Sequence, residues 1–336
     1  MAMKAVDVKL LDLDWLFDST NAQKFVWLLS LTTNESLFKT KQVITVIDLL
    51  WEKYQSAIRD RVFMPYVIYF LTTLIYFTFF LRPVDKDSWF AVIIEFALRF
   101  LVLIYMFLFE MLEYIQLQGM GWRDYIFDFW NTFDQISFVA NVVTMGLHAI
   151  NADLRLQKIL GAIAILMMYI KLFYWLRLFQ STAAFIRMLA EIISDIRPFL
   201  TFLVCAIAMF ANSMLLLDQN RRYHDAENDL ISPVFGIGFL DALVRTYLVA
   251  LGEFEVDNFN GVDSALVWCF FLFTTFIAQI LFMNLLIAIM GDTFDRVQDI
   301  RVQAATKEKI DMMKDFIWVI DMEEEFENKK HVLIVE

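Results

Sequence analysis

Two pairs of oxygen-bearing side chains stand three residues apart within strongly apolar segments. Glu110 and Glu113 form the first pair, and Asn131 and Asp134 form the second. On a helix this spacing places both members of a pair on one face. Four such oxygen donors facing each other, completed by water, suit Ca²⁺. The alternative is structural, because charged groups at membrane depth usually pair with one another.

A second candidate site follows a short apolar stretch, residues 238–251, which is too short to cross a bilayer. A Gly-acid turn comes next, between two longer apolar segments. Irregular backbone at membrane depth survives only where it lines water or is buried in protein, so this pattern predicts a re-entrant pore loop over 238–257. The predicted filter and outer acids of this loop are Leu251, Gly252 and Glu253, with Glu255 and Asp257 outside them.

The chemistry of this loop is attraction of cations. Four copies of Glu253 would form a ring of carboxylates that draws in cations and excludes anions. Glu255 and Asp257 would add to the outer field. A single loop cannot enclose a path, so the pattern predicts a tetramer of identical subunits. An ordinary solvated acidic loop is the alternative.

A stripe on the last apolar segment predicts the gate. Ile280, Asn284, Ile287 and Gly291 recur at three or four residues, the spacing of one helix face. An apolar ring at Ile287 can close by dewetting, with Asn284 or Met290 as other positions for the constriction. Lipid contact or core packing is the alternative for such a residue.

These sites need a membrane scaffold, and the composition supports one. Of 336 residues, 60% are hydrophobic, well above a soluble domain, and the apolar residues occur in blocks. Nine glycines and four prolines favour long helices over turn-rich β structure. We predict an all-α, multi-pass integral membrane protein with six transmembrane helices over residues 62–81, 89–115, 126–150, 156–179, 198–217 and 266–290.

An even number of spans places both termini on one side. Lys and Arg near the membrane in both tails predict that this side is cytoplasmic. The predicted domains are a cytoplasmic pre-membrane region 1–61, a four-helix sensor-like bundle 62–179, an amphipathic connector 180–197, a pore domain 198–290, a cytoplasmic amphipathic helix 291–327 and a terminal strand 328–336. We expect that strand to pair with an edge formed within residues 1–45.

Charge and cysteine usage exclude several other classes. A net charge of −12 argues against nucleic-acid binding. Cys205 and Cys269 lie inside apolar runs, which does not indicate a disulfide framework. The three histidines are too scattered for a metal site. We therefore expect neither an enzyme nor a cofactor, apart from regulatory calcium, and the expected partners are membrane lipids, permeant cations and identical subunits.

Three segments carry a resemblance to a known family. They are 282–294 (FMNLLIAIMGDTF), 129–134 (FWNTFD) and 50–54 (LWEKY). These segments resemble the transient receptor potential (TRP) cation channel family, nearest in layout to its vanilloid and ankyrin-type branches. The resemblance implies a tetrameric, calcium-permeable channel, and the spacing of Glu110 with Glu113 and of Asn131 with Asp134 is similar to the calcium site of the melastatin-type and canonical-type branches. The helix after 291 departs from the family by lacking the Glu-Trp-Lys-Phe-Ala-Arg box.

The fourth predicted span separates gating classes. A strong voltage sensor carries arginine at every third position. Here Arg155 and Lys158 flank the start of the span, and only Lys171 and Arg177 lie further in, after an uncharged stretch 159–170. Gating by a ligand, a lipid or a physical stimulus is therefore predicted. The same two cations are the available partners for the acids of the second and third spans. A voltage-gated cation channel, a non-conducting six-helix receptor or scaffold, and a secondary transporter are the alternatives, although no repeated half typical of transporters is visible.

Overall fold

The computed structural model is almost entirely helical, as the scarcity of glycine and proline predicts. It describes residues 8–12, 19–32, 35–81, 89–224, 229–299, 301–317, 319–320 and 331–335. The helices are α1 Ser19–Ser30, α2 Lys41–Ile58, α3 Met64–Ile75, α4 Trp89–Met120, α5 Trp122–Phe127, α6 Phe129–Ala149, α7 Leu154–Trp175, α8 Gln180–His224, α9 Gly238–Leu251, α10 Ser264–Thr275, α11 Met283–Asp299 and α12 Arg301–Phe316. Strands β1 Val8–Asp12 and β2 His331–Val335 lie near the two ends.

Within these residues, five helical segments are long and apolar enough to cross a membrane. They are Lys41–Phe80, Trp89–Met120, Leu154–Leu178, Ser181–His224 and Ser264–Asp299. Short π-helical turns, Arg59–Phe63, Tyr76–Phe80 and Phe276–Phe282, continue the helices without breaking them. The first and last predicted spans are thus parts of longer helices that extend beyond the apolar stretch.

The third predicted span, 126–150, differs from the prediction. The chain breaks at Asp128, whose carboxylate accepts hydrogen bonds from the backbone N–H groups of Trp130 and Asn131 and so caps α6. Helix α6 is about 31 Å long at the usual rise per residue, but buried Asn131, Ser137 and Asn141 make it less apolar than the five segments above.

The predicted connector, 180–197, and the predicted fifth span, 198–217, belong to one helix. Helix α8 runs unbroken from Gln180 to His224, and Pro198 lies inside it. Membrane helices tolerate an internal proline because neighbouring groups can satisfy the freed carbonyl.

The chain divides into two compact units, Met1–Arg187 with Ile300–Glu336, and Met188–Asp299. The first unit has an aromatic core. Phe316 of α12 stacks on Trp175 at a centroid distance of 5.4 Å, and Tyr66 lies 5.7 Å from the same indole. Helix α12 is therefore built into the core of this unit. It ends at Phe316, before the predicted end at 327, and the carbonyl of Phe316 accepts turn bonds from Val319 and Ile320. Residues 300, 318 and 321–327 of the predicted helix, and residues 328–330 and 336 of the predicted terminal strand, lie outside the described part of the chain.

Strands β1 and β2 form a two-stranded antiparallel sheet within the first unit. Val8 pairs with Val335 and Asp12 pairs with His331. This confirms the expected pairing of the terminal strand with an edge near the start of the chain.

The second unit contains most of α8 together with α9, α10 and α11. Its small core is formed by Ala211, Ala242, Phe259, Val267 and Phe271, all buried. This core supports α9 and the loop that follows it.

Candidate functional site

The short helix and Gly-acid turn are built as predicted. Helix α9 has the predicted bounds, Gly238–Leu251. Gly252 follows in the left-handed region with φ 99°, where a side chain is disfavoured. The backbone N–H of Glu253 donates to the carbonyl of Leu248 at 2.9 Å, which closes the helix end. At the other end, buried Asp241 accepts from the backbone of Phe235 at 2.6 Å.

A polar side chain that sequence reasoning missed lies against the glycine. A Cβ atom placed on Gly252 would stand 2.6 Å from Nε2 of Gln279. Gln279 belongs to the π-helical turn Phe276–Phe282. Its signal in the sequence is an amide inside a long apolar run, five residues before Asn284. The contact packs the α9 loop against the following span, and a side chain at position 252 would require the Gln279 amide to move.

The predicted acids of the loop have different surroundings. Leu251 and Glu253 are exposed, and within the described residues the Glu253 carboxylate has no recorded hydrogen bond or ion pair. Asp257 is exposed at the start of a short 3₁₀ turn, Asp257–Phe259. Glu255 instead accepts from Arg245 of α9 at 2.8 Å. The prediction that Glu255 adds its negative charge to the field outside the filter did not include Arg245 as a partner.

A buried arginine anchors the segment beyond these acids. Arg221, 1% exposed, donates to the backbone carbonyls of Asn258, Phe259 and Val262. Nearby, buried Asp218 accepts from the backbone N–H groups of Leu230 at 2.7 Å and Ile231 at 3.1 Å. The irregular backbone on both sides of α9 is thus held by charged groups rather than by a sheet or helix.

The predicted gate residues lie on α11. Ile287 is 68% exposed and Met290 is 38% exposed in the isolated chain. Asn284 donates to the carbonyl of Ile280 at 2.6 Å, which is a local bond within the helix. These positions are available for contacts outside the chain.

About two turns beyond Ile287, α11 is hydrogen-bonded to α8. The carboxylate of Asp195 accepts from Thr293 Oγ1 at 2.8 Å and also from Arg296. Thr293 is buried, which makes its hydroxyl dependent on this acceptor. The link joins the connector part of α8 to the end of the last apolar helix.

The four predicted calcium ligands meet in the first unit. Glu110 and Glu113 of α4, with Asn131 and Asp134 of α6, line one cavity of about 60 Å³, which also receives Lys171 of α7. The sequence interpretation that the two pairs lie at similar depth is consistent with this arrangement. The cavity has room for a few water molecules.

The cations and polar groups of this cavity are already engaged. Lys171 donates to the Asp134 carboxylate and lies 4.2 Å from the centre of the Tyr174 ring. Tyr125 donates to Glu113 at 2.7 Å. Among the described residues, no group of three or more His, Cys, Asp or Glu side chains is arranged to hold a metal. With Lys171 on Asp134, the donors do not fit a calcium ion unless the lysine moves, and ion pairing is the state observed at this carboxylate.

The second cation of the fourth span has a partner that sequence reasoning missed. Arg177 donates to Glu308 of α12 at 2.5 Å, and Arg187 lies 3.6 Å from the same carboxylate. Tyr174 donates to Asp315, also on α12, at 2.8 Å. Burial raises the pKa of Asp315 to about 6, although the positive charge of Arg177 opposes the shift. Helix α12 is therefore fixed to the end of α7 by charge as well as by aromatic packing.

A comparison with known families decides the class. Residues 60–301 match the ion transport protein family, which covers most of the chain. The chain belongs to the ion transport protein family. It is a multi-pass membrane protein of the cation channel superfamily that includes voltage-gated and TRP channels, a family of channels rather than enzymes. No curated protein matches the chain at a significant level.

Proposed function

We propose that this ion transport protein is a homotetrameric, calcium-permeable and weakly selective cation channel of the TRP type. The observation that carries the proposal is a short helix, α9, that ends at left-handed Gly252. It lies in the chain between two helical segments that are long and apolar enough to cross a membrane, Ser181–His224 and Ser264–Asp299. In a tetramer, four such turns would surround one path, with Glu253 exposed at its mouth. The antiparallel pairing of β1 with β2 supports both termini on one side of the membrane, and the lysines and arginines near the membrane in both tails support the proposal that this side is cytoplasmic.

Substitution at the filter tests this proposal. Purified protein in planar bilayers should conduct Na⁺, K⁺ and Ca²⁺, and Glu253→Gln should lower the relative permeability to Ca²⁺ because the carboxylate ring is lost. Asp263→Asn is the matched control, since this exposed acid hydrogen-bonds Asn220 and its left-handed backbone tolerates asparagine. Unchanged divalent permeability in Glu253→Gln would count against the filter assignment.

Gating by a ligand, a lipid or a physical stimulus is supported by the ion pairs of two cations in the fourth predicted span, Lys171 of α7 and Arg177 of the turn that follows it. Lys171 is paired with Asp134, and Arg177 is paired with Glu308. Charges held in such pairs are poor carriers of a voltage response, because moving them breaks buried contacts. A voltage-gated channel fits the family equally and predicts a steep dependence of open probability on voltage. A shallow dependence is expected here.

We place the gate at Ile287, biased through the link from Asp195 to Thr293 and Arg296. Alanine at Ile287 should raise the open probability in the absence of stimulus, because a wider and less apolar ring holds water more readily. Leu285→Ala, on another face of α11, is the control. An unchanged open probability in Ile287→Ala would move the constriction to Asn284 or Met290.

Regulatory calcium, if it binds, is proposed to use Glu110, Glu113, Asn131 and Asp134 in competition with Lys171. Replacing the lysine by methionine separates this hypothesis from structural pairing. If the four residues bind calcium, Lys171→Met should bind Ca²⁺ more tightly, and Glu113→Ala should bind it more weakly. The measurement is the rise in unfolding temperature on adding Ca²⁺. With pairing alone, Lys171→Met would destabilise the protein and calcium would change nothing.

A further inference from the structure

One basic side chain of α9 reaches the loop that follows Gly252. Arg245 donates to the carboxylate of Glu255 at 2.8 Å and to the backbone carbonyl of the same residue at 2.5 Å. A guanidinium that holds both groups fixes the position of the backbone as well as the charge. Arg245 therefore links the loop after Gly252 to α9, the helix that precedes it.

The surroundings of Arg245 explain why it needs this partner. Its side chain is 16% exposed and borders a small, mainly apolar cavity of about 30 Å³ beside Val249 and Phe271. A cation set among apolar groups requires a counter-charge. Among the described residues, Glu255 is the only acid recorded in an ion pair with Arg245.

The ion pair makes neighbouring acids of the loop differ in net charge. Glu253 and Asp257 are exposed and have no recorded side-chain partner within the described residues, whereas the charge of Glu255 is matched by Arg245. The Glu255 side chain is itself 64% exposed, so its charge would act on the solution if the arginine were removed.

We infer that Arg245 is a specificity-determining residue of the ion path, which cancels the charge of Glu255 and positions the loop beyond Gly252. The inference rests on the proposed channel function, because this loop lies at the mouth only in an assembled pore. Arg245 leaves Glu253 and Asp257 as the uncompensated acids of the described loop and so limits the preference for divalent cations.

Single-channel conductance at low ionic strength tests the inference. In planar bilayers with about 10 mM salt, where charges act over about 30 Å, R245Q should raise cation conductance about twofold, since a unit charge some 10 Å away in water changes the local ion concentration by about that factor. E255Q should lower it, because Arg245 is then uncompensated. The double variant R245Q/E255Q and the conservative R245K should stay near wild type. All differences should shrink at about 1 M salt, where charges act over about 3 Å.

The control is R59Q, since Arg59 pairs with the exposed Asp60 in the first unit and has no recorded partner in the described loop after Gly252. It should leave conductance unchanged. The inference is overturned if R245Q conducts no better than wild type while E255Q conducts less, because Glu255 would then act as a free acid. If R245Q does not assemble, the swapped variant R245E/E255R decides: low-salt conductance within about twofold of wild type supports the pair, and a larger loss overturns it.

Failure of the channel proposal has a different signature. Wild-type protein that carries no current, or a Glu253→Gln variant with unaltered divalent permeation, contradicts the proposed function. A conducting wild type with the expected Glu253→Gln effect but no change in R245Q contradicts only the role of Arg245.

Discussion

The acids of the helix-bundle cavity and the acids beside Gly252 belong to the same residue class but have opposite surroundings. In the cavity, Asp134 is paired with Lys171, and Glu113 accepts from Tyr125. In the loop, Glu253 is exposed and without a recorded partner among the described residues. Buried charges need partners, while exposed charges are free to act on solution ions.

In the cavity the charged side chains hold helices together, whereas in the loop they remain available to ions. Removing one member of a buried pair leaves the other uncompensated, so such changes should act first on stability. Changes at the exposed loop should act first on conduction. Each prediction below tests one side of this contrast.

The largest effect is expected from Gly252→Ala. A side chain in the left-handed region costs about 1–2 kcal/mol, and here its Cβ would meet Gln279 at 2.6 Å. Conductance should fall about tenfold or more while the thermal stability of the bundle changes little. Gly146→Ala is the control, since this position in α6 has open space around it. Conduction close to wild type in Gly252→Ala would show that the turn is not part of the ion path.

Lys171→Met is expected to have the largest effect on stability. Breaking a buried ion pair by removing one partner costs about 3–5 kcal/mol, and here the loss leaves Asp134 uncompensated in the cavity. Unfolding in detergent should shift to lower temperature, and the double variant Lys171→Met/Asp134→Asn should recover most of the loss. Arg59→Gln, which removes an exposed pair with Asp60, is the control and should have little effect. A stable Lys171→Met single variant would contradict the assignment of the pair to structure.

A somewhat smaller loss is expected from Glu308→Gln. The change leaves Arg177, 8% exposed, with a neutral acceptor, and should weaken the docking of α12 by about 3 kcal/mol. Hydrogen exchange of residues 301–316 should accelerate while α9 is unaffected. Asp48→Asn is the matched control, because Asp48 is half-exposed and its bond to Lys309 is worth less than about 1 kcal/mol. Unchanged exchange in α12 would show that aromatic packing alone holds this helix.

Several parts of the fold could be predicted because they depend on local pattern. Long apolar runs specify membrane helices, and the bounds of α9 follow from Gly252, which ends the helix whatever surrounds it. The cavity of Glu110, Glu113, Asn131 and Asp134 could be anticipated from spacing on two helices. The pairing of β2 with β1 followed from a short β-branched run near the end of the chain.

Other features depend on contacts between distant residues and escaped sequence reasoning. Arg177 meets Glu308 only because α12 folds back against α7, which no local pattern specifies. Arg245 and Glu255 stand ten residues apart across an irregular turn, so no helical or strand spacing relates them. The break at Asp128 could have been predicted from the sequence. Aspartate is a common residue at the N-terminal cap of a helix, where its carboxylate accepts from the backbone N–H groups two and three residues later. Gln279 was also visible as an amide in an apolar run.

The smallest effect concerns the pH dependence of α12 docking. Asp315 is largely buried beside Tyr174, and burial raises its pKa to about 6 despite the nearby charge of Arg177. An unfolded aspartate has a pKa of about 3.9, so the folded state binds this proton more tightly, and stability rises as the pH falls through about 6 towards 4. Between pH 7.5 and 5 the stability gained from this group should be about 1 kcal/mol.

The test compares the pH dependence of stability in wild type and in Asp315→Asn. Burial also raises the pKa of Asp311 in the same helix, so Asp311 adds to the pH dependence in both proteins. The part that comes from Asp315 should be absent from the variant. The measurement is amide hydrogen exchange of residues 301–316 as a function of pH. If wild type and Asp315→Asn show the same pH profile, the protonation of Asp315 is not linked to folding. The contrast between paired buried acids and open loop acids would then rest on the other acids alone.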